Sequence, residues 1–131
     1  MSRELRVLIV DDETAVQESL RDYFEDENVV VFVTHTAERG LEFLNNESVD
    51  VAVVDMRLPG MDGQAFILEA AEKHRDLAFV IYTGSTDYVL PESLEKLGMR
   101  PEDVFRKPVW DLDLLLTAVR EAAERRSGEH E

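Results

Sequence analysis

Short apolar runs alternate along the chain with segments in which apolar residues recur every three or four positions. Continuous apolar or β-branched runs of four to six residues are typical of strands buried on both faces of a sheet. The second pattern is that of helices with one buried face. The runs predict strands at 7–10, 29–33, 51–54 and 77–82, and the pair Val104-Phe105 predicts a short fifth strand.

The helical segments have recognisable start and stop residues. Asp62 is a suitable N-cap for the third helix, because its carboxylate can accept from free backbone N–H groups. Pro91 suits the first residue of a short fourth helix, and Gly98 suits its end. The last helix is predicted from Leu112 to Ala123, and the polar residues 127–131 are predicted to be a frayed tail.

Strands that alternate with helices predict an α/β fold, with a parallel sheet, right-handed crossovers and helices on both faces. The length of 131 residues fits one domain of common size. We therefore predict a domain over residues 1–126 followed by the polar tail 127–131. The sequence shows no internal repeat, low-complexity tract or linker.

Composition excludes several kinds of function. With 14 basic and 29 acidic residues, the formal net charge is −15, which argues against binding to nucleic acids or to anionic membranes. The absence of cysteine excludes disulfides, thiolate zinc sites and cysteine nucleophiles. No apolar run approaches the ~20 residues that span a bilayer, and residues 1–12 lack a signal-peptide pattern. A cytoplasmic location is expected.

Polar residues follow four of the five predicted strands. Asp11 and Asp12 end the first strand, Asp55 the third, Thr83 the fourth and Lys107 the fifth. In an open parallel sheet, ligands bind beyond the carboxyl ends of the strands. We therefore expect three carboxylates, a hydroxyl and an ammonium group to share one shallow pocket.

This set of side chains predicts a particular chemistry. Crowded carboxylates resist ionisation unless a cation lies between them, and Mg²⁺ prefers such oxygen ligands. Asp12 and Asp55 can bind Mg²⁺ directly, Asp11 directly or through water, and a carbonyl just after Asp55 can complete the set. A carboxylate can also act as a nucleophile and form an acyl phosphate. Lys107 would then neutralise the developing charge, and Thr83 would donate a hydrogen bond to the phosphoryl group.

The motifs in this order resemble those of a response-regulator receiver domain of two-component signalling. They are VLIVDDE at 7–13, VVDMRLPGMDG at 53–63, Thr83-Gly84-Ser85 and Lys107-Pro108. The resemblance covers nearly the whole chain. It implies a flavodoxin-like, doubly wound sheet of strand order 2-1-3-4-5. It also implies that Asp55 accepts a phosphoryl group from the phosphohistidine of a sensor histidine kinase or a phosphotransfer protein.

The resemblance also implies a set of roles around Asp55. Mg²⁺, for which Mn²⁺ can substitute, would be held by Asp12, Asp55 and the main-chain carbonyl of Arg57, with Asp11 assisting. Lys107 would contact the phosphoryl group, and a cis peptide would precede Pro108. A downstream protein would bind the face formed by the fourth helix, fifth strand and last helix. The chain would be a signalling domain rather than a metabolic enzyme.

Two departures from this family leave a second hypothesis open. Receivers often carry an aromatic residue three positions before the lysine, where this chain has Val104. Phe105 is the next residue, and strand alternation points it to the opposite face, so we expect it in the core. The segment between Thr83 and Lys107 is also unusual. The alternative function is an interaction module that keeps the fold without phosphorylation switching. A third hypothesis, an aspartyl phosphatase, typically needs an Asp-x-Asp pair that residues 11–13 do not form.

Other residues admit more than one interpretation. Trp110 is either an interface anchor or core packing against the last helix. Arg57 either pairs with the phosphoryl group, shields it from water or points to solvent. The histidines are scattered without metal-ligand spacing, and we expect no function for any of them: His35, His74 and His130.

Overall fold

The computed structural model describes residues 4–128, which form a five-stranded sheet with helices on both faces. Its strands are β1 (Arg6–Val10), β2 (Val30–Thr34), β3 (Val51–Val54), β4 (Ala78–Thr83) and β5 (Val104–Arg106). Its helices are α1 (Thr14–Asp26), α2 (Ala37–Asn46), α3 (Gly63–Lys73), α4 (Glu92–Glu95) and α5 (Leu112–Gly128), with a 3₁₀ turn at Pro101–Asp103.

All neighbouring strands pair in parallel, in the order β2-β1-β3-β4-β5. This confirms the predicted fold and strand order. In this order β1 and β3 are neighbours. The chain adds β2 on the outer side of β1 and then β4 and β5 on the outer side of β3, so the strand order reverses between β1 and β3. Open α/β sheets bind ligands at such a switch point. Within residues 4–128, no helix combines the length and the apolar composition needed to cross a membrane.

Two apolar layers enclose the sheet because successive strand residues point to opposite faces. Leu8, Val54 and Ile81 pack into the layer that includes residues of α2 and α3. Ile9 and Val53 pack into the opposite layer, which includes residues of α1 and α5. Every residue of β3 and β4 is buried, which explains why these strands are continuous apolar runs rather than alternating ones.

The helix starts follow the sequence signals with one small difference. Asp62 accepts from the Ala65 N–H at 2.9 Å, which confirms the predicted cap of α3. Pro91 is the N-cap of α4 rather than its first residue. Gly98 follows α4 with a φ of 95°, a conformation that favours glycine. Helix α5 continues through Ser127 to Gly128, so it includes the first two residues of the predicted tail; residues 129–131 lie outside the described part.

Strand β5 lies at the edge of the sheet, so its apolar residues are only partly covered. Val104 and Phe105 pack against opposite layers, as predicted. Both are only half-buried, so Phe105 is a peripheral residue rather than a central core residue. Trp110 is fully exposed, so the alternative that it packs in the core was wrong. The Lys107–Pro108 peptide bond is cis, as predicted.

Gly63 lies where α3 begins, directly against the chain that carries Asp55. A Cβ atom at Gly63 would clash with the carbonyl oxygen of Asp55 and would lie 2.8 Å from the Cα atom of Met56. Both are backbone atoms, so no side-chain rotation relieves the contact.

We expect Gly63→Ala to lower the free energy of unfolding by about 1–3 kcal/mol, because overpacking forces the backbone to shift. Urea denaturation followed by circular dichroism measures this change. Gly84→Ala is the matched control, since within the described part of the chain no atom beyond its two chain neighbours lies within 4 Å of its Cβ position. Equal stabilities of the two variants would contradict the prediction.

Candidate functional site

Backbone hydrogen bonds beyond the strand ends hold the predicted pocket residues side by side. The Asp55 N–H donates to the carbonyl of Val10 at 3.0 Å, which extends the β1–β3 pairing by one residue. The Lys107 N–H donates to the carbonyl of Thr83 at 2.8 Å, which extends the β4–β5 pairing in the same way. The carboxyl ends of these strands therefore open on one edge of the sheet, as the sequence predicted.

The Lys107 ammonium lies at the centre of a group of carboxylates. Its Nζ is 2.8 Å from Asp11 Oδ2, 2.9 Å from Glu13 Oε2 and 3.2 Å from Asp55 Oδ2. The side chains of Lys107, Asp11 and Asp55 are only 11%, 3% and 6% exposed. An ammonium group has three donors, and here each of them reaches a carboxylate.

Burial and charge act in opposite directions on these groups. Burial raises the pKa of Asp11 above 3.8, although hydrogen bonds from Lys107 and from the Glu13 N–H partly oppose it. Burial alone would lower the pKa of Lys107. Hydrogen bonds to Asp11 and Glu13, together with the charges of Asp11 and Asp55, outweigh burial and raise that pKa. Lys107 is therefore held in its charged form.

Three aspartates form a group that fits a hard divalent cation. One carboxylate oxygen from each of Asp11, Asp12 and Asp55 lies within 4.8 Å of the others. Asp12 is exposed while Asp11 and Asp55 are buried, so the group opens towards solvent. Oxygen donors with room for retained waters are what Mg²⁺ requires. The Arg57 N–H donates to Asp55 Oδ1 at 3.3 Å; the role of the Arg57 carbonyl stays a prediction.

Thr83 and Arg57 are both connected to Ser85 at the rim of the pocket. Thr83 is fully buried, and its hydroxyl oxygen accepts from the Ser85 N–H at 3.3 Å. The Arg57 guanidinium lies 3.5 Å from the Ser85 hydroxyl. The three interpretations of Arg57 stay predictions.

Three residues that contact the central ammonium or its surroundings were not identified from the sequence pattern. Glu13 is the last residue of the VLIVDDE motif and was given no role of its own, yet it binds Lys107. The ring of Tyr82 lies 5.7 Å from the Lys107 Nζ, and its hydroxyl accepts from the Val109 N–H at 3.3 Å. A usable signal for Glu13 was its place at the N-cap of α1, where glutamate is not a favoured residue. Tyr82 offered no such signal, because it resembles any other core residue of its strand.

Gln17 is a third such residue, and it links a histidine to the pocket. Gln17 is buried in α1; its amide donates to the main-chain oxygen of Asp11 and contacts His35 Nδ1 at 2.6 Å. His74 ends α3, where its N–H donates to Ala70. Neither histidine belongs to the aspartate group, and the absence of a function for them stays a prediction. His130 lies outside the described residues.

The raised pKa of Asp11 predicts a pH-dependent gain in stability for Asp11→Asn. A folded-state pKa above 3.8 means that the folded protein binds this proton more tightly than the unfolded chain does. Ionised Asp11 therefore lowers stability above its folded-state pKa, and this effect disappears as the pH falls through that pKa towards 3.8. A neutral asparagine avoids it.

We expect Asp11→Asn to raise the urea midpoint at roughly pH 7, with the gain shrinking as the pH falls. Asp22→Asn removes an exposed carboxylate from α1 and should change stability by less than about 0.5 kcal/mol. A loss of stability in Asp11→Asn at neutral pH, or a gain that grows on acidification, would refute the prediction.

Comparison with known proteins agrees with this geometry. The sequence matches the family described as the response regulator receiver domain over residues 7–120. The regulatory protein VanR of Enterococcus faecium is 30% identical over 110 residues, which cover 84% of this chain and 46% of VanR. The hydrogenase transcriptional regulatory protein HoxA of Cupriavidus necator is 31% identical over 125 residues, 93% of this chain and 25% of HoxA. The chain thus spans less than half the length of either relative.

A solved structure of a receiver domain has the same fold as this chain. A CheY-like response regulator receiver domain protein from Methanospirillum hungatei matches with a TM-score of 0.82 and 28% identity, covering 97% of this chain and 99% of that chain. The match to the receiver family covers well over half of the sequence and includes every predicted pocket residue. The chain therefore belongs to the response regulator receiver domains of two-component signalling.

Proposed function

We propose that the chain is a phosphorylation-activated receiver that accepts a phosphoryl group on Asp55 in the presence of Mg²⁺. The observation that carries the proposal is the arrangement around Asp55. Its carboxylate belongs to a group of three aspartates and lies 3.2 Å from the ammonium of Lys107. A nucleophile, ligands for a divalent cation and a fixed positive charge thus meet at one point.

The proposed reaction moves a phosphoryl group from nitrogen to oxygen. A carboxylate oxygen of Asp55 attacks the phosphorus of a phosphohistidine, and an acyl phosphate O–P bond forms. The N–P bond breaks, its electron pair returns to the imidazole, and that nitrogen takes a proton from solvent. Lys107 stays charged and faces the oxygens that gain negative charge, so its positive charge stabilises the transferred group.

The aspartate group fits Mg²⁺: Asp12 and Asp55 would be direct ligands, Asp11 would bind directly or through water, and the Arg57 carbonyl would be a further ligand. Bound Mg²⁺ would supply charge neutralisation for the transferred phosphoryl group, and Mn²⁺ is the expected substitute because it also accepts oxygen ligands. Asp11 and Asp55 lose much of their solvation by burial, so a cation beside them relieves an unfavourable state.

Thr83 is the proposed sensor of the phosphoryl group. Its hydroxyl accepts from the Ser85 N–H, which leaves its own proton available to a phosphoryl oxygen. Donating that proton would draw the Thr83 side chain towards Asp55 and lengthen the bond from Ser85. The loop after β4 would therefore respond to phosphorylation.

The proposed partners follow from this reaction. A sensor histidine kinase or phosphotransfer protein supplies the phosphoryl group, which implies a cytoplasmic location. A downstream protein binds the face formed by α4, β5 and α5. The net charge of −15 supports recognition of a protein rather than direct binding of nucleic acid by this segment. The domain takes part in its own phosphorylation and dephosphorylation without turning over a metabolite.

Val104 favours one alternative, an interaction module with this fold that works without phosphorylation switching. Val104 is half-buried in β5, at a position where the family often has an aromatic residue. The intact set of Asp11, Asp12, Asp55, Thr83 and Lys107 argues against this alternative, because a module that only binds proteins has no need of carboxylates buried around an ammonium group.

Intact-mass measurement after incubation with Mg²⁺ and a small acyl-phosphate donor tests the proposal. We expect a single phosphoryl adduct on the parent chain, none on Asp55→Asn, and none when a chelator removes Mg²⁺. Asp22→Asn, with the same change at an exposed site on α1, should be modified like the parent.

The other results would each point elsewhere. No adduct with any donor or kinase would refute phosphorylation and favour the interaction module. An equal adduct on Asp55→Asn would place the acceptor at another residue. Sustained release of phosphate from a small phosphorylated substrate would favour the phosphatase hypothesis.

A further inference from the structure

Glu13 breaks a local rule of helix formation. It occupies the N-cap position of α1, yet among the described residues its side chain makes no capping hydrogen bond. N-cap positions favour residues whose short side chains reach the free N–H groups of the first turn. Helices α2 and α3 follow this rule with Thr36 and Asp62. A position that departs from a local preference is a candidate for a functional role.

The side chain of Glu13 binds Lys107 instead of capping its helix. The Glu13 Oε2 lies 2.9 Å from the Lys107 Nζ, and the glutamate side chain is 58% exposed. The other two carboxylates on this ammonium, those of Asp11 and Asp55, belong to the aspartate group that fits a cation. Glu13 is thus the partner of Lys107 that lies outside this group.

An ordinary surface ion pair contributes little, because two mobile side chains must be ordered in water. The Glu13–Lys107 pair differs from an ordinary surface pair because Lys107 is not a mobile, exposed side chain. Lys107 is only 11% exposed, and its own N–H is bonded to the Thr83 carbonyl. Burial of the side chain and this main-chain bond leave Lys107 less freedom than a surface lysine, so less ordering opposes its ion pair with Glu13.

We propose that Glu13 is a positioning residue that keeps hold of Lys107 when Asp11 and Asp55 bind Mg²⁺. This inference rests on the proposed function. Asp11 and Asp55 bind the Lys107 ammonium in this structure. The same two carboxylates cannot bind a divalent cation equally well while they hold the ammonium. Two cations on the same carboxylates also repel each other.

Glu13 resolves this competition by its place at the rim. Its carboxylate keeps one hydrogen bond to the ammonium while the two aspartates give theirs up. Lys107 then stays beside the pocket, charged and ready for the phosphoryl group on Asp55. Without Glu13, Lys107 depends on Asp11 and Asp55 alone, so Mg²⁺ binding becomes weaker.

Mg²⁺ titration by calorimetry tests this role on the full chain, without phosphorylation. We expect Glu13→Gln to weaken Mg²⁺ binding by about 5-fold or more, the lower end of typical coupling between sites. Glu18→Gln is the matched control, since it removes the same charge from an exposed position of α1. At about 0.15 M ionic strength, where screening acts over about 8 Å, the control should change affinity much less.

A double-mutant cycle separates positioning from simple attraction between Glu13 and the metal. Lys107→Met removes the ammonium, so Glu13→Gln in that background should have no more effect than Glu18→Gln. An effect of equal size with and without Lys107 would overturn the proposal and make Glu13 a direct or electrostatic contributor. Equal effects of Glu13→Gln and Glu18→Gln in the parent would also overturn it.

Failure of the positioning role of Glu13 can be distinguished from failure of the proposed function. A parent chain that binds Mg²⁺ but takes no phosphoryl group refutes phosphorylation on Asp55, while the cycle still reports on Glu13. A parent chain that binds no Mg²⁺ overturns both. Circular dichroism of each variant checks that α1 and the rest of the fold are retained.

Discussion

The arrangement around Lys107 depends on one electrostatic constraint, the need for a cation between carboxylates that the sheet brings together. Asp11 and Asp55 are almost completely buried at the ends of adjacent strands. Two ionised carboxylates in such a place repel each other and lose solvation. The Lys107 ammonium partly offsets both effects, and it follows β5, at the far edge of the sheet from β2. The pocket therefore requires correct pairing of β1, β3, β4 and β5.

The polar pocket lies directly beside the apolar core because the strands that build the core also carry the aspartates at their ends. Residues 7–10 of β1 and all of β3 are apolar and buried, and the residues that follow them are the aspartates. The apolar layers fix the strand register, and the register fixes the carboxylates. Gly63 extends the same tight packing to the start of α3, where there is no room for a side chain beside the backbone of Asp55. Functional groups on such rigid elements are held more precisely than groups on loops.

Most of the fold and the main pocket residues could be predicted from the sequence, for definite physical reasons. Buried parallel strands leave uninterrupted apolar runs, and the edge at which their carboxyl ends meet follows from topology alone. The positions of Asp11, Asp55, Thr83 and Lys107 at strand ends needed no side-chain information. Strand boundaries were less certain: β2 and β4 each lie one residue later than predicted, because apolar pattern does not define where hydrogen bonding begins.

The rest required three-dimensional information. Glu13 and Gln17 act through side-chain directions that a linear pattern does not show, and Gln17 looks like an ordinary surface residue until its burial is known. Phe105 was expected in the core because alternation gives the face on which it lies. Alternation does not reveal that β5 is an edge strand with only partial cover.

Trp110 determines which optical signals can report on this protein. It is the single tryptophan of the chain, and its side chain is fully exposed three residues after Lys107. An indole that is hydrated before and after unfolding reports little about the loss of the core. Its fluorescence instead reports locally on the loop between β5 and α5. Tryptophan emission therefore suits measurements beside the pocket, while global unfolding needs a signal from the backbone.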